Sequence, residues 1–234
     1  QPTVKIGFGT DNTAETAVGV SGSNDKSHYS INVSHYKTDG IDGTEDSTVF
    51  DADHDGFRKS SVSVNVGHKF SDALEASLTY VRTEGENEAD DEPFNPSSKV
   101  YNPYSIFDVE SASATIKYAV NNQWTSTLQV GHLINESEAR DSFPSFFDTE
   151  RDSVSLQNDI FIDDNQLLSL GVDYYDDQIN SSSTYIESDR DNIAYFAQHQ
   201  FSVGVNDFVL GFRNDNNQAY GHHNTGNASW GIKL

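Results

Sequence analysis

The feature that most constrains this chain is an alternation of apolar and polar residues that recurs along nearly all of its length. For example, Val62, Val64 and Val66 alternate with Ser63 and Asn65. A period of two residues predicts β-strands, because successive side chains of a strand point to opposite faces. We count twelve such segments, of which the weakest lies near 14–21, and almost none of these windows fits a helical period. The sequence therefore predicts an all-β, antiparallel, up-and-down fold.

The connections between these segments alternate in length. Only the first connection on the long side, near 10–13, is brief. Short turns on one rim and long loops on the other are typical of an outer-membrane β-barrel. The short turns are predicted at 21–26, 71–73, 121–122, 163–165 and 204–207, and the long acidic loops at 37–56, 84–106, 136–150, 177–190 and 214–225.

The alternation alone leaves two architectures open. A soluble β-sandwich also alternates, because it buries its apolar side chains and exposes the polar ones. Aromatic residues near the predicted strand ends favour a transmembrane β-barrel, whose interfacial girdles contain Trp, Tyr and Phe. These aromatic residues are Tyr29, Tyr36, Phe70, Tyr80, Tyr118, Trp124, Tyr174, Tyr195 and Phe201.

Composition excludes several function classes. With 37 acidic against 14 basic residues and a formal charge of −23, the chain is a poor partner for nucleic acid or an anionic membrane surface. The absence of cysteine excludes disulfides, thiolate metal sites and a cysteine nucleophile. No G-x-S-x-G motif places a serine nucleophile, so we expect no enzyme activity. Because the sequence begins Gln1-Pro2-Thr3 without an initiator, we expect it to be processed or excised from a longer chain.

The most specific motif is D-x-D-x-D-G, formed by Asp51, Asp53, Asp55 and Gly56. Calcium prefers six to eight oxygen ligands, and alternate aspartates on a tight loop bring their carboxylates together. The twelfth position of an EF-hand loop would be a glutamate, but here it is Val62, and a predicted strand follows instead of a helix. The motif therefore predicts a calcium site in a loop between strands.

Such a site needs ligands from other parts of the chain. Asp42 in the same predicted loop, and Asp90 and Asp91 in the next long loop, are available donors. The alternative interpretation is a solvated acidic loop that binds no ion tightly.

Several segments together resemble the barrel domain of the TonB-dependent outer-membrane transporters, and most closely the cobalamin transporters among them. The resemblance extends in order across essentially the whole chain, with gaps in the long loops. Its most distinctive part is the D-x-D-G-F loop followed by H-x-F-x-D-A. The segments that carry it are 6–9, 40–42, 53–57, 67–73, 170–174, 213–217 and 229–231.

The resemblance implies a 22-stranded barrel in outer-membrane lipid, filled by an N-terminal plug domain. It also implies uptake of cobalamin or a related corrinoid, driven by the TonB complex through the plug. Calcium would order the substrate-binding loops. The implied calcium ligands are Asp42, Asp53 and Asp55, then Asp90 or Asp91 with a one-residue ambiguity, and a further aspartate that corresponds to Asp108.

Against that family, we expect residues 1–234 to form a single barrel segment with about twelve strands, no plug domain and no TonB box. An open twelve-stranded sheet has two unpaired edges, which lipid does not tolerate. Either the sheet closes on itself as a smaller barrel or further strands complete it. Two other functions remain open: a self-contained passive pore, and a soluble calcium-binding adhesin or binding module.

Overall fold

The computed structural model describes residues 1–42, 54–90 and 103–233. No helix within these ranges is long and apolar enough to cross a membrane. The regular structure consists of twelve strands, which confirms the predicted number. They are β1 (Pro2–Phe8), β2 (Ala14–Ser23), β3 (Ser27–Thr38), β4 (Phe57–Lys69), β5 (Leu74–Glu88), β6 (Tyr104–Asn121), β7 (Trp124–Arg140), β8 (Ser145–Asp163), β9 (Gln166–Ser181), β10 (Asp189–Val203), β11 (Asn206–Asn217) and β12 (Gly221–Ile232).

The strands form one antiparallel sheet in the order β1 to β12, so each strand bonds to its neighbours in sequence. This order confirms the predicted up-and-down topology. Across the described ranges, β1 bonds only to β2, and β12 only to β11. The described sheet is therefore open rather than a closed ring of twelve strands.

The apolar residues of the alternation lie on the exposed face of the sheet. The side chains of Ile6 and Phe212 are 63% and 55% exposed, and Tyr195 is 56% exposed. Among the residues that the structure describes, Ala194 is the only fully buried hydrophobic residue. A soluble sandwich would bury this face, because burial of apolar side chains is what stabilises it. The exposed apolar face instead fits contact with lipid and confirms the membrane-barrel prediction.

The polar residues of the alternation lie on the sheltered face. Ser169, Asp177, Asn192 and Asn217 are all buried there. A hollow of about 460 Å³ opens on the same face and is lined mainly by polar side chains of β6 to β10. This face therefore corresponds to the polar interior of a barrel.

The strands extend much further toward the long-loop rim than the sequence predicted. Most of the segments 136–150 and 214–225 and half of 177–190, all predicted as loops, belong to strands. The 19 residues of β8 span roughly 60 Å along the strand, whereas a transmembrane strand needs only about 9–11 residues. Where both faces of a strand contact water, apolar residues no longer alternate with polar ones, and the sequence signal for a strand disappears.

The exposed face changes character along each of the long strands β5 to β10. On β7, for example, Trp124, Leu128 and Val130 are followed toward the long-loop rim by Glu136 and Glu138. We call the first part the apolar band and the second part the charged belt. The belt contains Arg82, Glu84, Glu86, Glu88, Asp108, Glu110, His132, Glu136, Glu138, Arg140, Asp148, Glu150, Asp152, Asp176, Asp189 and Asp191.

The aromatic residues only partly follow the predicted girdle. Near the short-turn rim, the indole N–H of Trp124 donates to Asn158 at 3.0 Å, and that of Trp230 donates to Asn206 at 2.9 Å. Tyr36 was predicted with them but lies on the polar face, where its ring packs near Phe57 at 6.1 Å. Tyr36 lies seven positions after Tyr29 on β3. Because side chains alternate between the two faces of a strand, an odd separation places them on opposite faces.

Candidate functional site

The two halves of the β3–β4 connection meet at its base. The amide of Asp55 donates to the carbonyl of Ile41 at 3.2 Å, and the His54 ring contacts the carbonyl of Gly40 at 3.0 Å. Gly40 has a φ of 67°, and a Cβ at this position would lie 1.8 Å from the Asp55 carbonyl oxygen. Glycine is therefore required for this approach, which places Asp42 and Asp55 in adjacent segments.

The base of the β5–β6 connection joins the same region. The amide of Gly56 donates to the Glu88 carboxylate at 2.9 Å, and the amide of Glu88 donates to the Gly56 carbonyl at 2.8 Å. The amide of Ala89 then donates to Pro103 at 3.1 Å, which joins the two ends of this connection next to Asp90. Three of the predicted ligands, Asp42, Asp55 and Asp90, therefore lie at the bases of two neighbouring long connections.

Two other predicted ligands, Asp53 and Asp91, lie outside the described residues. Glu88 is a carboxylate outside the predicted set of ligands, and it lies beside Asp55 through its bonds to Gly56. Its position was not apparent because residues 84–106 were predicted as a loop, whereas β5 continues to Glu88.

Asp108 has a different environment from the other predicted ligands. It lies within β6 opposite Glu84, and not in a loop. The guanidinium of Arg82 donates to both carboxylate oxygens, with an Nη2–Oδ2 distance of 2.5 Å and Nε distances of 3.1 Å. Asp108 is thus part of an ion pair on the charged belt.

The polar face contains a cluster of ion pairs that sequence reasoning missed. Asp177 on β9 accepts hydrogen bonds from both Arg151 on β8 and Arg190 on β10, and only 7% of its side chain is exposed. The Arg151 guanidinium also lies 4.5 Å from the ring centroid of Tyr175. Strand register brings these residues together from distant positions in sequence, so no short motif indicates them.

A second group continues this cluster one step along the same face. Arg213 on β11 donates to Asp173 at 2.5 Å and to Asp215 at 3.1–3.2 Å. Asp173 also accepts a hydrogen bond from Ser155 at 2.7 Å. The arginines on this face therefore each have carboxylate partners, and together they form a lining suited to polar contacts.

Comparison with solved structures identifies the class of this fold. The siderophore receptor PirA from Acinetobacter baumannii matches all of this chain over 40% of its own chain, with a TM-score of 0.74 and 15% identity. The FrpB iron transporter from Neisseria meningitidis matches 98% of this chain over 43% of its own, with a TM-score of 0.71 and 12% identity. The fold is that of a segment of an outer-membrane receptor barrel.

Two curated relatives are more similar in sequence. The vitamin B12 transporter BtuB of Photobacterium profundum is 28% identical over 191 residues, which cover 81% of this chain and 31% of that protein. BtuB of Vibrio vulnificus is 27% identical over 239 residues, covering 97% of this chain and 37% of that protein. The chain thus spans about a third of the length of these relatives. No family model matches it.

These comparisons confirm the resemblance inferred from the sequence. The chain is an outer-membrane β-barrel segment related to BtuB, with the fold shared by TonB-dependent receptors. The relatives and structural neighbours are transporters and receptors, which agrees with the expectation that the chain is not an enzyme.

Proposed function

We propose that this chain forms part of the barrel wall of a TonB-dependent transporter that takes up cobalamin or a related corrinoid across the outer membrane. The observation that carries this proposal is the similarity to two vitamin B12 transporters over 81% and 97% of the chain. The twelve-stranded sheet supports it, because its polar face would line the passage and its apolar band would contact lipid. Under this proposal, energy from the TonB complex acts through a plug domain.

We further propose that calcium orders the two long connections on the rim. The support is the D-x-D-x-D-G motif together with the backbone bonds that place Asp42, Asp55 and Asp90 in neighbouring segments. Asp53 and Asp91 are included as ligands from the motif and the family resemblance. Carboxylate oxygens are the ligands that calcium prefers. Ordering these connections before substrate arrives lowers the conformational cost of binding.

The transport proposal is tested by substrate binding to outer membranes from cells that produce the protein. Radiolabelled cyanocobalamin is expected to bind saturably, and unlabelled cobalamin to displace it. Uptake into intact cells is expected to stop when the proton gradient is dissipated, whereas binding continues. Saturable binding of a ferric siderophore without any cobalamin binding would overturn the substrate assignment.

The calcium proposal is tested separately by isothermal titration calorimetry and limited proteolysis. The double substitution Asp53→Ala and Asp55→Ala is expected to abolish calcium binding and the calcium-dependent protection of both connections. The matched control is Asp72→Ala with Asp164→Ala, which removes two carboxylates from short turns at the opposite rim. An unchanged titration in the first variant, or an equal loss in the control, contradicts the assignment.

The passive-pore alternative requires the twelve strands to close by themselves. In the described ranges β1 and β12 make no contact with each other. The soluble-adhesin alternative requires the apolar face to be covered, whereas residues such as Ile6 and Tyr195 are more than half exposed. Neither alternative has an observation in its favour.

A further inference from the structure

A histidine and two carboxylates, His132, Glu150 and Asp152, meet on the charged belt where β7 and β8 leave the apolar band. His132 on β7 lies directly opposite Asp152 on β8, and Ile134 lies between Glu110 and Glu150. All of these side chains point to the same face, because residues paired across an antiparallel ladder share a face. Nothing in the proposed transport function uses this group.

The contacts of the imidazole ring differ at its two nitrogens. Nδ1 of His132 lies 2.8 Å from Oδ1 of Asp152, which is a hydrogen-bond distance. An ionised carboxylate only accepts hydrogen bonds, so Nδ1 carries the proton of that bond. In the neutral ring, Nε2 then has a free lone pair, and it faces Oε1 of Glu150 at 3.9 Å.

That second distance is too long for a hydrogen bond but suits two ligands of one metal ion. With zinc–ligand distances of about 2.0–2.2 Å, two ligand atoms at a tetrahedral centre lie about 3.4 Å apart. A shift of about half an ångström in the exposed Glu150 side chain closes the difference. The arrangement also has the carboxylate–histidine–metal order in which the outer carboxylate fixes the ring of a ligating histidine.

The electrostatic setting of this group differs from that of the belt carboxylates that are paired with arginine. Glu86, Asp108 and Glu138 each have an arginine partner at 2.5–2.9 Å. Within the described ranges, the salt bridges of Glu150 and Asp152 involve only His132. Their negative charge is therefore not balanced by a permanent cation.

We infer that His132 and Glu150 form a binding site for a divalent transition metal such as zinc, with Asp152 orienting the ring. Water would complete the coordination. Imidazole and carboxylate ligands suit zinc and similar ions, whereas calcium takes oxygen ligands only. The site is therefore distinct in chemistry and position from the proposed calcium site.

The test is a titration of the full chain in detergent, without a polyhistidine tag, with zinc chloride in saturating calcium. Calorimetry is expected to show a site that His132→Gln and Glu150→Gln each weaken by more than about tenfold. Asp152→Ala keeps the ligands and removes the orienting contact, so a roughly 10–100-fold loss is expected. The matched control is His35→Gln, since His35 bonds to Ser60 on the same face without a carboxylate salt bridge.

Heat-modifiable electrophoresis shows that each variant is folded before it is titrated. Retained zinc affinity in His35→Gln, with loss in the His132 and Glu150 variants, supports the site. The inference is overturned if the unmodified chain shows no zinc binding up to millimolar concentration, or if His132→Gln binds as the unmodified chain does. Because calcium is saturating throughout, neither result depends on the calcium proposal.

Discussion

On strand β7 the exposed side chains from Trp124 to Val130 are mainly apolar, whereas those from His132 to Arg140 are mostly charged. Both parts belong to one continuous ladder with the same backbone geometry. The apolar part is stable only next to lipid, while the charged part requires water. Backbone hydrogen bonding therefore sets the fold along the whole strand, and side-chain chemistry sets where the membrane ends.

The largest expected effect comes from placing a charge in the apolar band. Leu128→Arg, with Ile116 and Leu156 beside it, is expected to reduce the free energy of unfolding in lipid vesicles by about 2–4 kcal/mol. Gln129→Arg, one residue away on the polar face, is the matched control and is expected to cost much less. Equal costs for the two would mean that the exposed face does not contact lipid.

The next effect concerns the polar face. Asp177→Ala removes the carboxylate shared by Arg151 and Arg190, and is expected to cost about 1.5–3 kcal/mol, the value of hydrogen bonds to charged groups. Asp176→Ala removes a neighbouring carboxylate from the charged belt, where Asp152 and Asp191 flank it. That control is expected to change stability little. Denaturant titration of both variants measures the difference.

A smaller effect is expected at the short-turn rim. Trp124→Phe keeps an aromatic ring but removes the hydrogen bond to Asn158, at a cost of about 0.5–1.5 kcal/mol. A double-mutant cycle with Asn158→Ala isolates this bond. Fully additive effects of the two substitutions would show that the bond contributes no stability.

The smallest effect is expected at the exposed ion pair between Arg58 on β4 and Glu86 of the charged belt. Arg58→Gln breaks the 2.7 Å pair with Glu86, in which the arginine side chain is 61% exposed, and is expected to cost less than about 1 kcal/mol. The difference from the unmodified protein is expected to vanish in high salt, because exposed pairs are screened. A loss of stability that does not depend on salt would show that this pair is shielded from water.

The sequence predicted the apolar parts of the strands because lipid on one face and a polar interior on the other enforce alternation. It did not predict the charged parts, such as Glu136 and Glu138 in β7, because neither face there needs apolar residues. Strand number and order were also predictable, since short turns fix antiparallel neighbours.

The candidate sites were predictable to different degrees. The D-x-D-x-D-G motif is local, so it is visible in the sequence, and the contact between Ile41 and Asp55 agrees with a shared loop base. The pairing of His132 with Asp152 depends on the register of two strands and has no local motif. Leu128, Val130 and His132 occupy alternate positions of β7. This spacing is the signal that could have indicated that His132 lies on the exposed face.

The strictly sequential pairing of the twelve strands has a consequence for how the sheet forms. Because each strand in the described part of the chain bonds only to its neighbours in sequence, assembly requires no distant segments to meet before the first hairpins are made. The short turns between paired strands, such as those that follow β2, β4 and β6, carry a low closure entropy, which favours growth by one hairpin at a time. Each intermediate then has an unpaired edge strand to which the next strand can bond. The strands can therefore fold in the order in which they are synthesised.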